Sequence, residues 1–74
     1  MAAKAKPSEK VYKRIELAGT SAKSFEAAIE NAVKRAGETI TNLRWFEVKE
    51  LRGALGEGGI LEYQVVVLVA FEVR

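Results

Sequence analysis

The 74-residue chain contains no cysteine, no histidine and no aspartate, and a single proline at position 7. Without cysteine there is no disulfide framework, no thiolate nucleophile and no Cys-based zinc site. Without histidine there is no imidazole base and no His-containing triad. Most of the chemistry open to a small enzyme is thereby removed. All ten acids are glutamates, which leaves only carboxylate chemistry and hard-cation binding. Long apolar runs are also missing: Val65–Phe71 is far short of a membrane span. No apolar stretch follows the first lysines, so a secretory signal is not expected and a cytoplasmic location is.

What is present fits one small domain. The hydrophobic fraction is 49%, in the globular range. The net charge of +2 resides in residues 1–10, where Lys4, Lys6 and Lys10 face Glu9. Residues 11–74 carry nine basic and nine acidic side chains and are neutral. The basicity belongs to the tail, so the folded part lacks an electrostatic footprint for nucleic acid. Residues 1–10 read as a disordered basic tail broken by Pro7, and residues 11–74 as the domain.

Periodicity gives the order β-α-β-β. Val11–Leu17 alternates as a strand, and Gly19-Thr20-Ser21 then offers helix caps. Phe25, Ala28, Ile29, Ala32, Val33, Ala36, Ile40 and Leu43 recur at three- and four-residue steps, which predicts one helix continuing past Gly37. Its alanines imply a close-packed neighbour. Arg44–Arg52 reads as a second strand, with Trp45, Glu47, Lys49 and Leu51 on one face and Phe46, Val48, Glu50 and Arg52 on the other. Gly53 through Gly59 forms the connection, and Ile60–Val73 is a long third strand, joined to the second as an antiparallel hairpin. The fold class is α+β: a three-stranded antiparallel sheet packed on one helix.

One face of the third strand, Tyr63, Val65, Val67, Val69 and Phe71, suits the helix. The other face is apolar in its middle, at Val66, Leu68 and Ala70. A single helix covers only one face of such a sheet. Ordering the domain costs on the order of 100 kcal/mol at roughly 1.5 kcal/mol per residue. A monomer with that second face in water loses burial it needs, so a homo-oligomer is expected.

Three side chains call for explanation. Trp45 is either an interface aromatic or a flat stacking platform for a planar ligand. Gln64 makes either an inter-subunit hydrogen bond or, with its mixed donors and acceptors, reads the edge of a ring. Arg52 forms a surface ion pair or holds a phosphate. Gly56-Glu57-Gly58-Gly59 is not a phosphate loop, since no Gly-Lys-Ser/Thr follows. Glu47 and Glu50, three apart on a strand, fall on opposite faces under strict alternation and make no acid/base pair. No catalytic residue and no metal ligand set is assigned.

The combination Gly19-Thr20-Ser21, Trp45-Phe46-Glu47-Val48, Arg52-Gly53 and Tyr63-Gln64-Val65, in this order, resembles the dodecins over about residues 10–73. That resemblance implies a small flavin-binding protein assembled as a hollow dodecamer, with flavins held in pairs between subunits. It implies that Trp45 stacks on the isoalloxazine, that Gln64 bonds its edge, and that Arg52 lies near the phosphate of flavin mononucleotide (FMN). The cofactor implied is FMN, riboflavin or FAD, with coenzyme A as a further ligand. Ala70-Phe71-Glu72-Val73 departs from the Gly-Phe-Arg-Leu of many bacterial members, placing Glu72 where they have a basic residue. A branch of the family lacks the tryptophan and glutamine and is associated with calcium; this chain keeps both. The expected function is flavin storage, buffering and photoprotection without enzymatic turnover. The alternative is a structural or calcium-type metal-binding shell without flavin. A nucleic-acid binder using the lysine tail ranks last.

Overall fold

The computed structural model describes residues 9–74. The expected tail therefore lies, for residues 1–8, outside the described residues. Four elements follow: β1 (Val11–Ser21), α1 (Phe25–Gly37), β2 (Leu43–Gly56) and β3 (Gly59–Val73). They form one antiparallel sheet in the order β1-β3-β2, with α1 on one face. The β-α-β-β reading and the antiparallel hairpin are borne out.

The strands run further than their alternation suggested. β1 does not stop at Leu17, because Gly19, Thr20 and Ser21 continue the ladder opposite Val65, Gln64 and Tyr63. Gly19 is where the helix comes down on the sheet. A Cβ there would run into the Ala28 carbonyl oxygen and lie 2.8 Å from the Ala32 Cβ. The helix cap is accordingly further along. The Ser24 hydroxyl accepts from the Ala27 amide at 3.0 Å, satisfying one orphan donor of the first turn. Ser21 serves instead a local turn, accepting from the Lys23 amide.

The helix ends at Gly37 rather than continuing through Ile40 to Leu43. The Ala36 carbonyl accepts from both the Thr39 and Ile40 amides, closing the last turn. Asn42, at φ 66°, then reverses the chain in the left-handed region that asparagine tolerates. Leu43 thus begins β2 and packs on the core from the sheet side. The long glycine-rich connection is also shorter than expected: only Glu57 and Gly58 form the turn between β2 and β3.

The core lies between Ala28, Ala32 and Ala36 of α1 and Val65, Val67 and Val69 of β3. The alanine stripe allows the close approach that its composition implied. The helix lies over β1 and β3 and barely reaches β2. Consequently Phe46, Val48 and Leu51, on the helix side of β2, stay 48%, 45% and 55% exposed.

The opposite sheet face departs from expectation. Val66 and Ala70 are buried within the single chain rather than left in water. Side chains from the two flanking strands meet across β3 and cover it. Tyr12 contacts Trp45, Arg14 pairs with Glu47 at 2.8 Å, and Glu16 pairs with Lys49 at 2.9 Å. On that face Tyr12 and Trp45 stay partly exposed, and the more exposed apolar side chains include those on the helix side of β2 and at the hairpin end, at Leu55, Ile60 and Leu61.

Candidate functional site

A break in the strand alternation builds the site. The register places Phe46 opposite Val69 and Val48 opposite Val67, on the helix side. Between Val48 and Glu50 the ladder skips a residue, leaving Lys49 without a partner on β3. Such a bulge inverts the facing of everything beyond it. Trp45, Glu47, Glu50 and Arg52 therefore share one face, opposite Ala70, Leu68, Val66 and Gln64. Strict alternation had separated Trp45 from Arg52 and Glu47 from Glu50; the bulge unites them on the sheet face away from α1. Leu51 joins Phe46 and Val48 instead.

Trp45 is 43% exposed on that face. Its indole Nε1 donates to Glu47 Oε2 at 2.9 Å. The Tyr12 ring meets it at 4.8 Å between centroids and 61° between planes, an edge-on contact. Glu47 Oε1 accepts from Arg14 Nη1 at 2.8 Å. The Trp45 N–H first, and then the Arg14 guanidinium, hold the Glu47 carboxyl below its ordinary range. With its one polar atom satisfied, Trp45 offers the surroundings a flat π-surface.

A second cluster centres on Gln64. Its Oε1 accepts from Arg52 Nε at 2.9 Å, and its Nε2 donates to Glu62 Oε1 at 3.0 Å. Arg52 Nη1 also lies 3.6 Å from Glu50. Arg52 is thus both a surface ion-pair partner and the group that fixes one side of the Gln64 amide.

The structure brings Arg52 to Gln64 but not Trp45 to either. Trp45 faces Ala70, six residues along β3 from Gln64. At about 3.3 Å per residue that is roughly 20 Å. One copy cannot apply both side chains to a single aromatic ring system.

Sequence reasoning missed the supporting residues. Trp45 and Glu47 are two apart on a strand, a spacing that already placed them side by side. The parts of Arg14 and Tyr12 required the β1–β3 register. Glu72, the departure noted at the C-terminus, accepts from Arg44 at 2.9 Å and lies 3.5 Å from Arg74, so its cations come from this chain. Among the described residues no group of three acids, histidines or cysteines is placed to hold a metal ion. Among them, too, no helix is long and apolar enough to cross a membrane.

A single helix on a three-stranded antiparallel open sheet, with a half-exposed tryptophan on the uncovered face, defines a small β-α-β-β fold class. The dodecin family model matches residues 11–74, and the chain belongs to that family. It is 56% identical over 65 residues to the dodecin of Thermus thermophilus, covering 88% of this chain and 94% of that one. It is 36% identical over 64 residues to the calcium dodecin of Mycobacterium tuberculosis, covering 86% of this chain and 90% of that one. A crystal structure from Thermus thermophilus superposes with a TM-score of 0.85 at 55% identity, covering 89% of this chain and 97% of its own.

Proposed function

We propose that this chain binds flavin, FMN or riboflavin, and stores and photoprotects it without enzymatic turnover, as a cytoplasmic homododecamer. The observation that carries the reading is Trp45. Its indole stands half-exposed on the open sheet face with its N–H already bonded, so what it has left to offer is stacking. Gln64 adds an amide, next to Arg52, suited to the mixed donors and acceptors of a flavin edge. Bound flavin would supply a visible chromophore and a redox-active ring. Trp45 would pass an electron to the photoexcited ring and take it back, which dissipates the excitation. The roughly 20 Å between Trp45 and Gln64 in one copy favours sites shared between copies, with two Trp45 rings closing over a flavin pair.

The test is titration of FMN fluorescence with the apoprotein beside Trp45→Ala, with the mass of each assembly followed by light scattering. Strong quenching by the wild type, lost in an equally large Trp45→Ala assembly, is expected. An intact wild-type assembly that leaves FMN fluorescent overturns the reading. The relative named calcium dodecin favours a second reading, a calcium-binding shell. Since no group of three acids is placed to hold a metal ion among the described residues, this reading has the site assembled between copies, and calcium binding that persists in Trp45→Ala without flavin binding would support it.

A further inference from the structure

The stacking reading leaves one group unexplained: the Glu47 carboxylate, which bridges the Trp45 indole on one side and Arg14 of β1 on the other. We propose that Glu47 is a positioning residue, which locks the Trp45 ring plane in its ligand-ready orientation before any ligand arrives. The inference rests on Trp45 being the stacking surface, and deepens it.

The geometry carries the argument. An indole turning on the surface of an edge strand has two soft torsions, and stacking on a planar ligand must freeze both. Here the freezing is done in advance. The 2.9 Å bond from Nε1 to Glu47 Oε2 fixes the polar edge of the ring. Tyr12, edge-on at 4.8 Å, fixes a second side. Glu47 is itself not free to follow the indole, because its other oxygen is held at 2.8 Å by Arg14, across β3. The chain of contacts therefore ties the ring on β2 to the backbone of β1, through a charge-assisted bond that is stronger than a neutral one. The carboxylate contributes a second effect. An anionic acceptor on the indole N–H increases electron density in the ring, which favours stacking on an electron-poor partner. The bulge after Val48 is not needed for this contact, since Trp45 and Glu47 precede it. The device is local to the stretch Trp45–Glu47 and its β1 neighbours.

The experiment uses the intact assembly and two variants, Glu47→Ala and Glu47→Gln. Trp45 is the chain's single tryptophan, so at the red edge of the near-ultraviolet, beyond the absorption of Tyr12 and Tyr63, its circular dichroism and fluorescence anisotropy report this ring alone. These are read on the apoprotein, independently of any ligand, and FMN affinity is then read by fluorescence quenching. Glu47→Ala should lower both apo signals and weaken FMN by about threefold to tenfold, the cost of ordering one side chain on binding. Glu47→Gln, which keeps an oxygen acceptor, should recover part of both. Unchanged dichroism and anisotropy in Glu47→Ala overturn the inference, even if wild-type quenching upholds the flavin reading. So does weakened FMN binding with those apo signals intact. Absence of FMN quenching by wild type would instead sink the flavin reading, and the apo signals would still decide whether Glu47 holds the ring.

Discussion

Arg52 is the residue whose role the structure redefines most. Position alone offered two parts, a phosphate contact or a surface ion pair. Its Nε is spent on the Gln64 side-chain oxygen at 2.9 Å, and the amide is thereby held with its NH2 toward Glu62. A glutamine free to flip presents either donor or acceptor to a ligand edge; this one presents a fixed arrangement. Arg52→Ala should therefore weaken riboflavin as well as FMN, by about tenfold, the worth of one hydrogen bond to a charged group. Parallel titrations of the two flavins decide it. A loss confined to FMN would leave Arg52 with a phosphate contact and no hold on the amide. Tryptophan and glutamine were legible here because each occurs once in this chain, and Arg52, one of five arginines, stood out by its place beside the glycine-rich turn. Their partners were not, because Arg14, Glu47 and Glu62 are ordinary charged side chains until the register brings them into contact.

At the scale of elements, the helix stripe and the long third strand were legible because their periods, 3.6 and 2, hold through residues 25–36 and 62–73. Of the two bulges in β2, at Arg44 and at Lys49, the second was the decisive feature that alternation alone concealed. Its trace is present in the chain all the same: the helix-facing residues Phe46, Val48 and Leu51 step by two and then by three. That extra residue carries Arg52 to the face of Trp45. The helix end was misjudged because Ile40 and Leu43 continue the apolar spacing; the turn closed on Ala36 and the left-handed Asn42 override it. Gly19 links the two layers. Its missing Cβ lets the Ala28–Ala32 turn of α1 rest directly on β1. Gly19→Ala would force backbone against backbone, with no flexible side chain to yield, so a loss of about 1–3 kcal/mol is expected. Thermal melts of the assembly should show a clear drop in midpoint. An unchanged melting temperature would mean that α1 can ride up from the sheet without cost.

For the molecule as a whole, the eight buried apolar residues among those described are alanines and valines only. No leucine, isoleucine or aromatic ring is fully covered by the single chain, and a core that small does not ordinarily sustain a fold alone. The roof of Tyr12, Arg14, Glu16, Glu47, Lys49 and Trp45 seals the middle of β3. It cannot replace the missing burial, because exposed ion pairs contribute about 0–1 kcal/mol each. Meanwhile Phe46, Leu51, Leu55, Ile60 and Leu61 stand 48%, 55%, 76%, 59% and 65% exposed. The pressure to associate therefore comes from β2 and the hairpin end rather than from the face of Val66 and Ala70. Placing a charge in that surface, as Leu51→Glu with Leu61→Glu, should abolish assembly and folding together. Far-ultraviolet circular dichroism should show loss of structure, and scattering a mass near that of one chain. A folded monomer with the wild-type spectrum would refute the claim that folding depends on association. The same double variant ties ligand binding to the assembled fold. With Trp45 and Gln64 roughly 20 Å apart in each copy, FMN quenching should vanish when copies separate, although neither side chain has been touched.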